Sequence, residues 1–121
     1  LPASASHPDE KGNYLPDKKM ENLYRRTSTY MGHYTGTTKG GFTIGEEWKE
    51  NDGLVNTFSS LAPLYAPRKE YDPTRIEKGI WNVFPVYKGD HMSLQGGLIH
   101  KTNIRPIYLP FIQIIEKLKE E

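Results

Sequence analysis

At 121 residues, with 36% hydrophobic and 26% charged side chains, the chain has the size of one small domain, on a norm of about 100–200 residues per domain. Sixteen Lys and Arg against fifteen Asp and Glu leave a formal charge of +1, which excludes the strongly basic balance expected of a nucleic-acid binder. The absence of cysteine excludes a disulfide framework, a zinc–thiolate site and a cysteine nucleophile, and no apolar run approaches the ~20 residues that span a bilayer.

Leu1-Pro2-Ala3-Ser4-Ala5-Ser6 has neither the basic start nor the apolar stretch of a signal peptide. No initiator Met precedes it, so the chain is expected to begin inside a longer protein. Residues 1–19 are rich in Pro, Ser, Asp, Lys and Gly and read as a loop or flexible tail, with the folded unit over 20–121. Residues 23–31 are dense in Thr and Tyr and read as a strand. Gly32, Gly36, Gly40 and Gly41 then imply a flexible loop. Residues 44–50 suit a short helical turn, and Asn51-Asp52-Gly53 is a turn in its own right, because Asn and Asp bond the local backbone and Gly tolerates φ > 0.

Residues 54–58 read as a short extended piece, and the Pro- and charge-rich residues 60–78 as a surface loop. Residues 79–87 have strand composition, interrupted or at an edge where Pro85 lacks an N–H; residues 88–91 form the turn at their end. In the last segment Ile104, Ile107, Tyr108, Phe111, Ile114, Ile115 and Leu118 recur at helical spacing. Asn103 is the expected N-cap, Pro106 fits the first turn, and Pro110 predicts a kink over 106–110. Arg25-Arg26 and Lys18-Lys19 read as solvated surface.

Of the four histidines, His7, His33, His91 and His100, the third has the most suggestive setting. It follows a strand, on a Gly-containing turn, where active-site residues of open α/β sheets occur. Asp52 has a comparable setting in its bend, although an Asn-Asp-Gly turn needs no further function. Together they lie 39 positions apart with acid before base, and in α/β-hydrolases the triad runs Ser, then Asp or Glu, then His. No G-x-S-x-G elbow occurs in these residues, so the nucleophile is expected upstream.

The segment Trp48-Lys49-Glu50-Asn51-Asp52-Gly53-Leu54-Val55 resembles the W-x-E-N-D-G-[ILV]-V stretch of the staphylococcal and Geobacillus-type bacterial lipases. Lys78-Gly79-Ile80-Trp81 is similar to their K-G-[VI]-W, Asp90-His91 to their D-H, and residues 103–118 to their closing helix. The resemblance covers roughly residues 20–118. It implies an α/β fold: the carboxyl-terminal portion of an α/β-hydrolase sheet, with a few strands, long loops and a terminal amphipathic helix, incomplete without upstream sequence.

The resemblance further implies a secreted carboxylic ester hydrolase of the lipase type, with Asp52 the triad acid and His91 the base. Its substrate would be a lipid ester, met at an oil–water interface, and its partner the remainder of the hydrolase. Neither nucleic acid nor a transmembrane segment is implied, and this chain alone is expected to be inactive. Leu54 and Val55 follow the acid and are placed either at an acyl pocket or in the core, and Trp48 and Trp81 in packing. These lipases bind a structural calcium through a carboxylate two places after the histidine and an Asp five places further on. Ser93 and Leu98 stand at those positions, so no cofactor is expected. Two alternatives remain: a non-catalytic binding or structural module on an α/β-hydrolase remnant, and a complete small protein whose Asp-Gly and Asp-His are only turns.

Overall fold

The computed structural model describes residues 1–118; residues 119–121, the end of the expected 20–121 unit, lie outside the described residues. It is a small α/β arrangement of short strand pairs and two helices. The expected tail over 1–19 is instead built in. Strand β1 (Ala3–Ser4) runs parallel to β8 (Tyr87–Lys88), and β2 (Ser6–Pro8) pairs antiparallel with β3 (Tyr14–Pro16). Ser4 is fully buried, and Ala3, Ala5 and Ser6 nearly so. Small side chains let this strand enter the interior without apolar periodicity, which is why composition alone suggests a tail. Its main chain is bonded on two sides. Tyr87 and Gly89 donate to the carbonyls of Pro2 and Ser4, while the Ala5 N–H donates to Asn51 and the Thr57 hydroxyl to the Ala3 carbonyl.

Residues 23–31 are helical, not a strand: α1 spans Asn22–His33. Thr and Tyr favour strands, but tertiary packing overrides that preference when one face fits a neighbour. The face here is Tyr24, Ser28 and Gly32, buried at four-residue spacing. Gly32 lies so close to β3 that a Cβ would sit 1.9 Å from the Tyr14 carbonyl oxygen. The threonine hydroxyls bond back to preceding carbonyls, Thr27 to Tyr24 and Thr29 to Arg25.

The expected glycine-rich loop holds a small hairpin, β4 (Gly36–Thr37) with β5 (Thr43–Ile44). The expected turn over 44–50 is a 3₁₀ turn at Glu46–Trp48. Residues 54–58 are bends and turns rather than a strand, apart from an isolated antiparallel bridge of Asn56 to Asn51. The surface loop over 60–78 contains β6 (Arg68–Glu70), which pairs parallel with β7 (Trp81–Val83). Pro85 separates β7 from β8, as its missing N–H requires.

The terminal helix α2 spans Arg105–Leu118 and contains Pro110; Asn103 accepts the Arg105 N–H at 3.1 Å. Phe111 packs on Phe84, which stacks on Tyr71. Most of the apolar surface of α2 is open, Leu109, Ile112, Ile115 and Leu118 included. The core itself is small, centred on Ala5, Met20 and Tyr24 with Met92 against them.

Candidate active site

The bend that carries Asp52 is built before any partner arrives. Asn51 is fully buried, and its side chain is saturated. Its amide donates to the carbonyls of Ser28 (3.2 Å) and Lys49 (2.9 Å), and its Oδ1 accepts the Gly53 N–H (3.0 Å). The Asn51 N–H donates to Ser6 Oγ, which ties the bend to the amino-terminal strand.

Asp52 Oδ1 accepts the N–H groups of Leu54 (3.0 Å) and Val55 (2.7 Å). Gly53 adopts φ +101°, and a Cβ there would stand 2.5 Å from Tyr24 Cβ. Gly53→Ala should therefore cost about 2 kcal/mol or more, from backbone strain and overpacking together. Urea unfolding reads this directly, and an unchanged midpoint would refute the steric account.

One carboxylate oxygen of Asp52 remains, and His91 meets it. Oδ2 lies 3.0 Å from His91 Nδ1, between groups 39 positions apart, and the His91 backbone N–H donates to the Asp52 carbonyl at 2.9 Å. Both the ring and the main chain of the histidine are thus registered on the acid. An ionised carboxylate only accepts, so the proton of the neutral imidazole resides on Nδ1 and the Nε2 lone pair is left as a base. Nε2 has no hydrogen-bond partner among the described residues.

Tyr24 meets the imidazole edge-on, with centroids 6.1 Å apart. Burial first, and then the charges of Asp90, Asp52 and Glu21, push the Tyr24 hydroxyl above its ordinary value, so it stays protonated at neutral pH. Asp90 caps the turn that presents His91. Its Oδ1 accepts the N–H groups of Met92 and Ser93.

Asp52 and His91 are therefore brought together, whereas His7, His33 and His100 have other surroundings. His7 pairs with Asp17, His33 bonds the Thr29 carbonyl, and His100 lies by Glu21. Leu54 is 52% exposed and so is not core; Val55 is half-buried. Trp48 packs between Phe42 and Phe58 as expected, but Trp81 is largely exposed. Asn51, Tyr24 and Glu21 were not singled out by sequence reasoning. Only the first carried a signal, as the residue that opens the turn around Asp52.

The positions where the resemblance implies calcium do not suit a hard cation. Ser93 Oγ is engaged with Asp90, accepting its N–H and donating to Oδ1, and the Leu98 side chain has no oxygen. Among the described residues no group of three or more His, Asp or Glu gathers as ligands. Nor is any described helix long and apolar enough to cross a membrane.

No protein-family model matches the chain. Lipase 2 of Staphylococcus aureus is 34% identical over 95 residues, which are 76% of this chain and 12% of that protein. Lipase 1 of the same species is 43% identical over 58 residues, 46% of this chain and 8% of that protein. The crystal structure of Staphylococcus hyicus lipase matches with a TM-score of 0.84 at 23% identity, covering 99% of this chain and 30% of that one. EstA from Clostridium botulinum matches at 0.81 and 24% identity, covering 91% and 26%. These solved structures speak for the fold, and the sequence relatives for descent. The chain is homologous to the staphylococcal lipases and spans only a part of the length of such a protein.

Proposed function

We propose that this chain is the carboxyl-terminal part of a secreted, lipase-type serine hydrolase acting on carboxylic esters of lipids. It supplies the acid, Asp52, and the base, His91, of a Ser-His-Asp triad whose serine belongs to the rest of the α/β-hydrolase sheet. The observation that carries this reading is the 3.0 Å contact of His91 Nδ1 with the one Asp52 oxygen not occupied by the bend. A bend that served only as a turn has no need of an imidazole on that oxygen.

In this mechanism His91 Nε2 takes the proton of the serine Oγ–H as the oxygen attacks the ester carbonyl. The Asp52 carboxylate holds the tautomer and stabilises the imidazolium that forms. The imidazolium returns the proton to the leaving alcohol as the ester C–O bond breaks. A water, deprotonated by the same nitrogen, then cleaves the acyl-serine and releases the acid. The oxyanion donors are supplied by the same outside region as the serine. Leu54 and Val55, beside the acid, are placed to border the acyl chain.

The test is active-site labelling of the full-length protein with a fluorophosphonate, followed by peptide mapping. Label is expected on one serine outside these residues, with hydrolysis of p-nitrophenyl butyrate abolished in proportion. Label on Ser4, Ser6, Ser28, Ser59, Ser60 or Ser93 would overturn the assignment. So would hydrolysis by the purified 121-residue chain.

A further inference from the structure

The stretch that follows His91 is gripped at both ends by one residue. Glu21 immediately precedes α1, and its side chain is 2% exposed. A carboxylate so buried must be compensated by hydrogen bonds or opposite charge. Its Oε1 accepts the N–H of Ile99 at 2.6 Å and of His100 at 2.8 Å, 78 and 79 positions away, with His100 Nδ1 at 3.6 Å. The Glu21 backbone N–H donates at 2.8 Å to Asp90 Oδ2, on the residue before the histidine. Between these two grips the chain turns tightly. The N–H groups of Gln95 and Gly97 donate to the Met92 carbonyl, and Thr102 donates to that of Gly96.

A loop with few buried apolar contacts opens readily unless hydrogen bonds or a bound ion hold it. A multivalent cation is one solution, and Ser93 and Leu98 offer it no carboxylates. We propose that Glu21 is the positioning residue that fixes the loop after His91, its carboxylate bridging the start of α1 to the Ile99–His100 backbone where a bound cation would otherwise be required. The assignment of His91 as a base rests on the function proposed above; the clip itself does not.

Two ionisable side chains interact with this carboxylate, His100 and, from α1, Tyr24; Asp90 is held by the Glu21 backbone N–H instead. Burial acts to raise the Glu21 carboxyl, but the bonds from His100 and Ile99 and the His100 charge outweigh it, so it lies below the ordinary value. A depressed folded value means the grip is fully present above the usual carboxylate range. It is lost as pH falls through the folded value.

The test compares the full-length wild type with Glu21→Gln. In the wild type, neither EDTA nor millimolar calcium should shift the melting temperature. In the variant, amide exchange at Ile99 and His100 should accelerate by about tenfold, the equivalent of replacing a charged acceptor with a neutral one at the same oxygen position. Turnover of p-nitrophenyl butyrate should fall with KM held, because the loop orients the base and does not bind substrate.

If the variant does not fold, the wild type alone decides. Protection at Ile99 and His100 should be lost on acidification before that at Ala5, whose N–H is held by the Asn51 carbonyl. Melting that depends on calcium would overturn the proposal, as would exchange at Ile99 and His100 indifferent to the substitution and to acid. A wild type with no esterase activity but with the expected exchange behaviour would remove the hydrolase reading and leave the clip standing.

Discussion

Asp52→Asn in the full-length protein should lower kcat for ester hydrolysis by about 10⁴, the loss seen when the corresponding acid of a serine protease becomes an amide. The structure explains why the effect should be so large for so small a change. Asp52 Oδ1 is already committed to the N–H groups of Leu54 and Val55, so the bend will hold the amide with its oxygen in that place. The amide nitrogen then faces His91 Nδ1. It donates where the carboxylate accepted, which forces the imidazole into the tautomer with its proton on Nε2. The base is lost while the fold is kept. Steady-state kinetics on p-nitrophenyl butyrate, with circular dichroism to show the fold retained, provide the check. A folded variant with near wild-type kcat would end the assignment of Asp52 as the acid.

Asn51→Ala should destabilise the protein by about 3 kcal/mol or more, although Asn51 does no chemistry. The substitution strands the Lys49 carbonyl and the Gly53 N–H in a buried place, each at a cost of about 1–3 kcal/mol, and removes the second bond on the Ser28 carbonyl. Water cannot readily replace the amide where the residue is fully buried. Since Gly53 also determines where the Asp52 carboxylate points, kcat should fall as well, even in the fraction that remains folded. Urea unfolding followed by tryptophan fluorescence measures the first effect, and a loss under about 1 kcal/mol would refute it.

The proposed acid and base, Asp52 and His91, were legible because each sits in a local device. Asn-Asp-Gly specifies its own turn, and His91 follows a strand that Pro85 interrupts. Helix α2 was legible for a similar reason, since its period lies within one segment. The amino-terminal strand was not. Its evidence is the pairing of Ala3 with Tyr87, and nothing in residues 1–8 announces a partner so distant in the chain. Helix α1 was misread because Thr and Tyr carry strand preference, while the pattern that decides the matter uses small residues, Ser28 and Gly32, rather than apolar ones. Glu21 was invisible for a different reason. Its partners are main-chain amides, which have no signature in the sequence.

Strand β1 and the residues beside it tie the Asp52 bend to the chain that carries His91. The Ala5 N–H is bonded to the acid's neighbour Asn51, and the carbonyls of Pro2 and Ser4 are bonded to the chain leading into His91. Asp52 and His91 thus hang from a single rail and should detach in one cooperative opening, with neither fraying alone. Loss of the Asp52–His91 contact would then track undocking of residues 2–5, so that a substitution holding that segment in place prolongs the contact without touching either side chain.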